Sequence, residues 1–336
     1  MEKILFLSPV EADGSLGKAG REALGAAKKL AGELGCGFGV GLYGETVQSA
    51  ADAVAGCGAE GFFGVSGAGF GQPRYATDCA AIVALTKAAG ATVVVAPATA
   101  RVSRAIAGAA QRLGGAVDTN LTGLDAENGA PVAERWFYRQ RMRGTLTRTG
   151  RPWLLTVSSG CFEAVDAAGS ASVQAVAADA GAVRTEVTGL KAPAADQQTI
   201  RPDAELLFVT GAGWMKKQAD GATHVAEAGE IILGFLGATK ASLGSSKSLV
   251  DFEGADVLPF LTHLHQVGQT GATPRHPKGL ATCCHGEEPH VVGWRFIGER
   301  RAVNLDAGCG WAHGKADVLY VADAFAVMKK VNELLG

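Results

Sequence analysis

The sequence has no excess of charge of either sign. Its 33 Asp and Glu are met by 31 Lys and Arg, a formal net charge of −2, which leaves no global field able to hold a polyanion by releasing its counterions. A nucleic acid is therefore not expected as the main partner. Nor is there a disulfide framework. Seven cysteines, an odd number, are scattered at 36, 57, 79, 161, 283, 284 and 309 of a 336-residue chain, far longer than disulfide-stapled scaffolds, and this points to reduced thiols and a cytoplasmic location. No window of about 18 apolar residues escapes charge or turn residues, so membrane insertion is not expected. The opening run MEKILFLSPV has no cleavage site of small residues and no Arg- and Ser-rich transit character, so no targeting segment is expected either.

Glycine is abundant, with 47 residues, and 47% of the chain is hydrophobic against 19% charged. That balance supplies a buried core and fits neither disorder nor a fibrous repeat. The length suggests about two domains of the usual ~100–200 residues. Short apolar runs alternate with longer Ala-rich amphipathic stretches, predicting strands over 4–7, 37–42, 61–65 and 92–96. Helices are predicted over 18–34, 47–55, 76–89 and 103–113. Strand, helix, strand in this rhythm indicates βαβ units and a buried parallel sheet.

After residue 124 the pattern changes. Bulky and basic residues alternate over 134–143 (ERWFYRQRMR), while 153–157 and 183–187 read as strands; all three are expected as antiparallel additions to the sheet edge. The stretch 191–201, KAPAADQQTIR, is polar, holds a Pro and has no period, so the domain boundary is placed there. The predicted domains are 1–195 and 196–336. The second opens with a strand at 206–210, then Gly211-Ala212-Gly213 and a helix over 225–236. The fold class is α/β in two domains, the first a parallel-sheet domain with added edge strands.

Two Gly-rich turns follow predicted strands, Gly67-Ala68-Gly69-Phe70-Gly71 and Gly211-Ala212-Gly213. Such a turn lets backbone N–H groups approach a phosphate at a helix N-terminus, although neither completes GxGxxG. Farther on, Gly244-Ser245-Ser246-Lys247 reads either as a surface helix capped by Ser246 or as a polar turn offering a cation. Val267-Gly268-Gln269-Thr270-Gly271 follows His263 and His265 as a turn. A strand in 280–292 (LATCCHGEEPHVV) runs into a polar turn, the usual place for a ligand in an α/β sheet. Its Cys283, Cys284, His285 and His290 lack the spacing of a zinc site, and no metal is expected. Asn304, Asp306, Asp317 and Asp323 punctuate later apolar runs, either as strand ends or as acceptors for an adenosine.

Taken in order, these motifs resemble the alpha subunit of the electron transfer flavoprotein family. The resemblance rests on Gly244-Ser245-Ser246-Lys247-Ser248-Leu249-Val250-Asp251, the intact Val267 to Gly271, His285-Gly286 through His290, Ala302 to Asp306, and the pairs Ala316-Asp317 and Ala322-Asp323. Residues 101–123 and 151–162 are similar to first-domain segments of the same family. The resemblance implies a C-terminal doubly wound domain that binds FAD and a heterodimer with a beta-type subunit that usually carries AMP. It implies that Thr270 meets the flavin N5 edge, shaped by Gln269 and Gly271, and that His290 faces the pyrimidine oxygen. Lys247 stands where the family has an Arg, keeping the charge and losing the stacking plane, beside Ser246. His285 and Gly286 fall in the pyrophosphate turn, and in the second glycine turn, with Gly211 and Gly213, Ala212 replaces an Arg that the family places near the FAD phosphate. Asn304 and Asp323 match adenosine-side acceptors. Glu287 and Glu288 replace apolar residues, and about six extra residues separate Lys247 from Thr270.

The resemblance implies an electron carrier rather than a catalyst. It would accept electrons from a donor flavin dehydrogenase and pass them to a downstream redox acceptor such as a membrane quinone oxidoreductase. No acid, base or nucleophile constellation is seen in the sequence. Two other readings stay open: a flavin- or NAD-dependent oxidoreductase with its own substrate, and a scaffold subunit that has lost its flavin.

Overall fold

A computed structural model describes residues 2–138, 142–189, 200–201, 203–252, 257–268, 275–283, 294, 297–308 and 316–336. The chain divides into two compact units, the first made of Met1–Tyr138 and Met142–Leu190 and the second of residues from Lys191–Gly336. The expected boundary at 195/196 lies outside the described residues.

In the first unit, apolar runs with no polar alternation form buried parallel strands: β1 (Ile4–Pro9), β2 (Phe38–Gly44), β3 (Gly61–Ser66) and β4 (Val93–Pro97). Successive residues of β1 feed opposite faces. Ile4 and Phe6 pack into one core with Leu24, Leu30 and Val40, while Leu5 and Leu7 pack into the other with Ile82, Leu85 and Ile106. A buried strand needs apolar residues on both faces, and this is why its sequence does not alternate. The first face is covered by α1 (Lys18–Leu34) and the short α2 (Gln48–Asp52). The second is covered by α4 (Tyr75–Ala88) and α5 (Ala100–Leu113), with the one-turn α3 (Ala68–Gly71) before them. Helix α1 stops at Gly35, which takes the left-handed conformation that ends helices. Thr99 caps α5, its hydroxyl accepting from the Val102 N–H at 3.3 Å.

Four further strands and a short bridge to the far edge complete the nine-stranded sheet β7-β6-β5-β8-β4-β1-β2-β3-β9. They are β5 (Ala116–Glu127), β6 (Ala130–Phe137), β7 (Met142–Leu146) and β8 (Trp153–Val157), with β9 (Val173–Ala175) at the far edge. The hairpins β5-β6 and β6-β7 are antiparallel and lie at the sheet edge, as expected, but the segment 134–143 is not one strand, since it contains the end of β6 and the start of β7. Strand β8 is not antiparallel. It lies inside the sheet, parallel to both β4 and β5, because WLLTV is buried along its whole length. Residues 183–187, also expected as a strand, are exposed for the most part and form no regular element.

Between β8 and β9 the chain runs as a strap across the α1 face. Ser159 Oγ and the Gly160 N–H donate to the buried Glu22 carboxylate at 2.7 and 2.9 Å. The Val165 N–H donates to the Arg21 carbonyl, and Arg21 pairs with Asp166 at 2.6 Å. The Gly169 and Ala171 N–H groups then bond to Asp52. At Gly25 the strap passes so close that a Cβ there would sit 2.1 Å from the Glu163 carbonyl oxygen.

The second unit is a five-stranded, wholly parallel sheet, β11-β10-β12-β13-β14. Its strands are β10 (Leu206–Thr210), β11 (Ser242–Ser245), β12 (Lys278–Thr282), β13 (Glu299–Asn304) and β14 (Val318–Val321). Counted within the unit the order is 2-1-3-4-5, a doubly wound arrangement. Helices α6 (Val225–Thr239) and α8 (Ala324–Leu335) cover one face, with Phe208, Ile232, Phe235, Phe325 and Met328 in a common core. Val267, Trp294 and Ile297 pack on the other. No helix among the described residues is long and apolar enough to cross a membrane.

Candidate functional site

The chain leaves β10 toward β11 on one side and later returns to β12 on the other, so the strand order reverses between β10 and β12. Crevices at the carboxyl ends of such strands are where ligands bind in open α/β sheets. The candidate residues within the described part stand in a row along that edge. Gly211 and Gly213 follow β10, Ser246 and Lys247 follow β11, Asn304 ends β13, and Asp323 follows β14.

Gly211 and Gly213 turn out to be engaged with the neighbouring strand. The Gly211 N–H donates to the Thr282 carbonyl at 2.8 Å and the Gly213 N–H to the Cys283 carbonyl at 3.1 Å. A Cβ on Gly213 would lie 2.7 Å from the Cys283 Cβ, so only glycine permits this approach. Beneath it the Trp214 indole, fully buried, donates to Thr282 Oγ at 2.9 Å. Residues 212–215 form a 3-10 turn, and the helix expected over 225–236 is present as α6, from Val225 to Thr239. The two amides tie β10 to β12 instead of pointing outward.

Ser246 and Lys247 open the one-turn helix α7 (Lys247–Val250). The Ser246 N–H donates to the Thr210 carbonyl at 2.8 Å, and its buried hydroxyl accepts from the Leu249 N–H at 3.3 Å. Thus the end of β11 is fixed against the end of β10, and Ser246 is a helix cap as one reading of the sequence had it. The Lys247 side chain, 44% exposed, places Nζ 2.5 Å from Asp251 Oδ2, and Asp251 Oδ1 lies 3.4 Å from His263 Nδ1. Asp251 and His263 were not among the candidate residues; the i,i+4 spacing of Lys247 and Asp251 was the available signal for the first pair.

At the end of β12, Cys283 adopts a positive φ of 55°. Burial, with the charge of Asp323 adding to it, pushes its thiol up to about 12. A thiol so raised is held in its protonated form at neutral pH. Among the described residues no group of three or more His, Cys, Asp or Glu could hold a metal ion. Asn304 is buried, its Oδ1 accepting from the Asp306 N–H at 3.0 Å. Asp323 caps α8, accepting from the Phe325 N–H at 3.0 Å. Gln269, Thr270, Gly271, His285, Gly286 and His290, with Glu287 and Glu288, lie outside the described residues.

The other glycine turn, in the first unit, serves the interior. Arg101 donates to the carbonyls of Phe70 and Gly71 and to both oxygens of the fully buried Asp78, at 2.9 to 3.3 Å for the carboxylate. Arg74 donates to the Gly69 carbonyl at 2.6 Å. Burial pushes the Asp78 carboxyl above its ordinary range even against these arginines. The turn is thus anchored by its own carbonyls.

Compared with known families, residues 4–181 match the model of the electron transfer flavoprotein domain. That stretch is more than half of the chain and falls within the first unit, and the match stops short of the second. No curated protein matches the chain.

Proposed function

The chain belongs to the electron transfer flavoprotein domain family, and from that premise we propose that it is the alpha-type subunit of such a carrier, with FAD held at the carboxyl edge of the second unit's sheet. In this reading it pairs with a beta-type subunit, receives electrons from a donor flavin dehydrogenase and delivers them to a redox acceptor such as a membrane quinone oxidoreductase. The five described cysteines are free thiols, which suits a reducing cytoplasm.

The observation that carries the reading is the row of site residues at the reversal of strand order, on the doubly wound topology that binds such ligands there. The donor set fits a flavin dinucleotide. Lys247 offers a half-exposed cation on a turn that the Ser246 cap holds in place, and Asn304 and Asp323 offer oxygen acceptors suited to adenosine hydroxyls. A bound flavin supplies reversible one- and two-electron chemistry. The task of the chain is to hold it, orient it and set the field around it. The Lys247 ammonium favours negative charge placed near it, and that preference is strengthened where water is excluded. Thr270, Gln269, Gly271, His285, Gly286 and His290 complete the site in this reading.

The test is an absorbance scan of the chain co-purified with its beta-type partner, followed by heat release and identification of the nucleotide. Bound FAD in near-stoichiometric amount is expected. A colourless complex refutes the reading in favour of a scaffold, and bleaching by NADH with no partner present refutes it in favour of a self-sufficient oxidoreductase.

A further inference from the structure

The neighbourhood of Lys247 carries more than a cation. The backbone of α7 is fixed at the sheet edge by the Ser246 cap and its bond to Thr210, while the Lys247 side chain leaves that anchor and meets Asp251 Oδ2 at 2.5 Å. The other carboxylate oxygen faces His263 Nδ1 at 3.4 Å. His263 is itself on a fixed segment. Thr262 and His265 form a capping box, in which the Thr262 N–H donates to His265 Nδ1 at 3.1 Å and the Leu264 N–H to Thr262 Oγ. Directly after it, Gln266 bridges to Ser245 and the Val267 N–H donates to the Ser245 carbonyl at 3.0 Å. Asp251 therefore stands between two anchored supports, with the ammonium of one on one oxygen and the imidazole of the other on the second.

A flexible four-carbon stem such as that of lysine can point its charge in several directions, and a neighbouring carboxylate both selects the direction and offsets the charge. We propose that Asp251, braced by His263, is a positioning residue that sets the direction of the Lys247 ammonium and offsets its charge, and so limits the positive charge that the site presents. The inference rests on the reading that Lys247 borders a bound flavin, and it adds the group that governs how strongly that lysine acts. His263 acts at one remove, by keeping the carboxylate where it reaches Nζ.

The experiment is a redox titration of the FAD-loaded heterodimer carrying Asp251→Asn, Lys247→Gln and the double substitution, with FAD retention measured in each. Asp251→Asn keeps the shape of a solvent-accessible side chain and is expected to leave FAD bound and to shift the midpoint potential upward. Lys247→Gln is expected to shift it downward. In the Lys247→Gln background the Asp251→Asn shift should vanish, because Asp251 acts through the lysine. Asp251→Glu, which restores the charge, should bring the potential back toward that of the wild type. Equal shifts from Asp251→Asn with and without Lys247 would overturn the inference, since the carboxylate would then act by its own field. A wild-type complex without FAD would remove the functional reading and this inference together, whereas a yellow complex with additive shifts removes the inference alone.

Discussion

Replacing Asp118 by Asn should destabilise the first unit at neutral pH and do so less and less as the solution is acidified. Asp118 sits on β5 at 6% exposure, and both of its oxygens are used. Oδ2 accepts from Arg148 Nε at 2.8 Å and from the Trp153 indole N–H at 2.9 Å, and Oδ1 accepts from the second Arg148 nitrogen at 2.9 Å. Trp153 is completely buried on β8, the strand that pairs with β5. Asparagine keeps the shape and one acceptor, which can serve the indole or the guanidinium but not the fork. A hydrogen bond to a charged group contributes about 1.5–3 kcal/mol, and because Arg148 is itself half-exposed, water recovers part of its loss. The net cost is therefore about 2–3 kcal/mol, or about 4–12 °C in the melting temperature of a unit of this size. Burial acts to raise the Asp118 carboxyl, but the hydrogen bonds from Arg148 and Trp153 and the charges of Arg148 and Arg135 outweigh it, so the group stays below its ordinary 3.8. A depressed acid stabilises the fold fully above its unfolded value, and that contribution is lost as the pH falls through the folded one. Thermal unfolding followed by circular dichroism from pH 7 to pH 3 reads both effects. A variant that melts with the wild type at pH 7, or a gap that stays constant down to pH 3, would refute the reasoning.

Arg101→Met leaves the fully buried Asp78 without its main partner and should cost about 3–5 kcal/mol in urea unfolding, most of it regained when Asp78→Leu is added, since an apolar pair of similar volume removes the stranded charge. Gly25→Ala should cost about 1–3 kcal/mol, because the new methyl meets the Glu163 carbonyl and pushes the strap off α1; an unchanged unfolding midpoint would mean that the strap gives way freely. Thr270→Val should leave FAD bound but change its midpoint potential, since a polar edge left unpaired is worth about 1–3 kcal/mol. An unchanged potential would take Thr270 off the flavin ring.

What the sequence disclosed follows from how local each signal is. Helix α1 runs over the predicted residues because an amphipathic stretch ends at a glycine, Gly35, that takes the left-handed conformation. The strands β1, β3 and β10 were legible as unbroken apolar runs. Strand β5 was not, because AVDTNLTGLDAE mixes small and polar residues, and its partner on one side is a hairpin strand rather than a packed neighbour. The placement of β8 inside the sheet could not be read locally either, since parallel pairing with β4 joins residues some sixty positions apart and leaves no mark on WLLTV itself. In the second unit, Ser246 as a cap followed from its residue type and position. The fate of the Gly211 and Gly213 amides did not, because it depends on the carbonyls of Thr282 and Cys283, supplied by a distant strand.

The strap also bears on how the chain is made. Strand β3 is complete at residue 66, yet among the described residues its outer edge is paired by Val173, Gln174 and Ala175 of β9 and by the Val176 N–H, which donates to the Gly64 carbonyl, about a hundred residues farther along. At synthesis rates of about 5–20 residues per second, that edge waits for roughly 5–20 s with unpaired N–H and C=O groups flanked by Phe62 and Phe63. An uncovered, apolar strand edge is a template for pairing with another chain. The ribosome-bound nascent chain is therefore expected to be prone to aggregation in this interval, and the late strand, once in place, is held by the strap's ties to Glu22, Arg21 and Asp52 along α1 and α2.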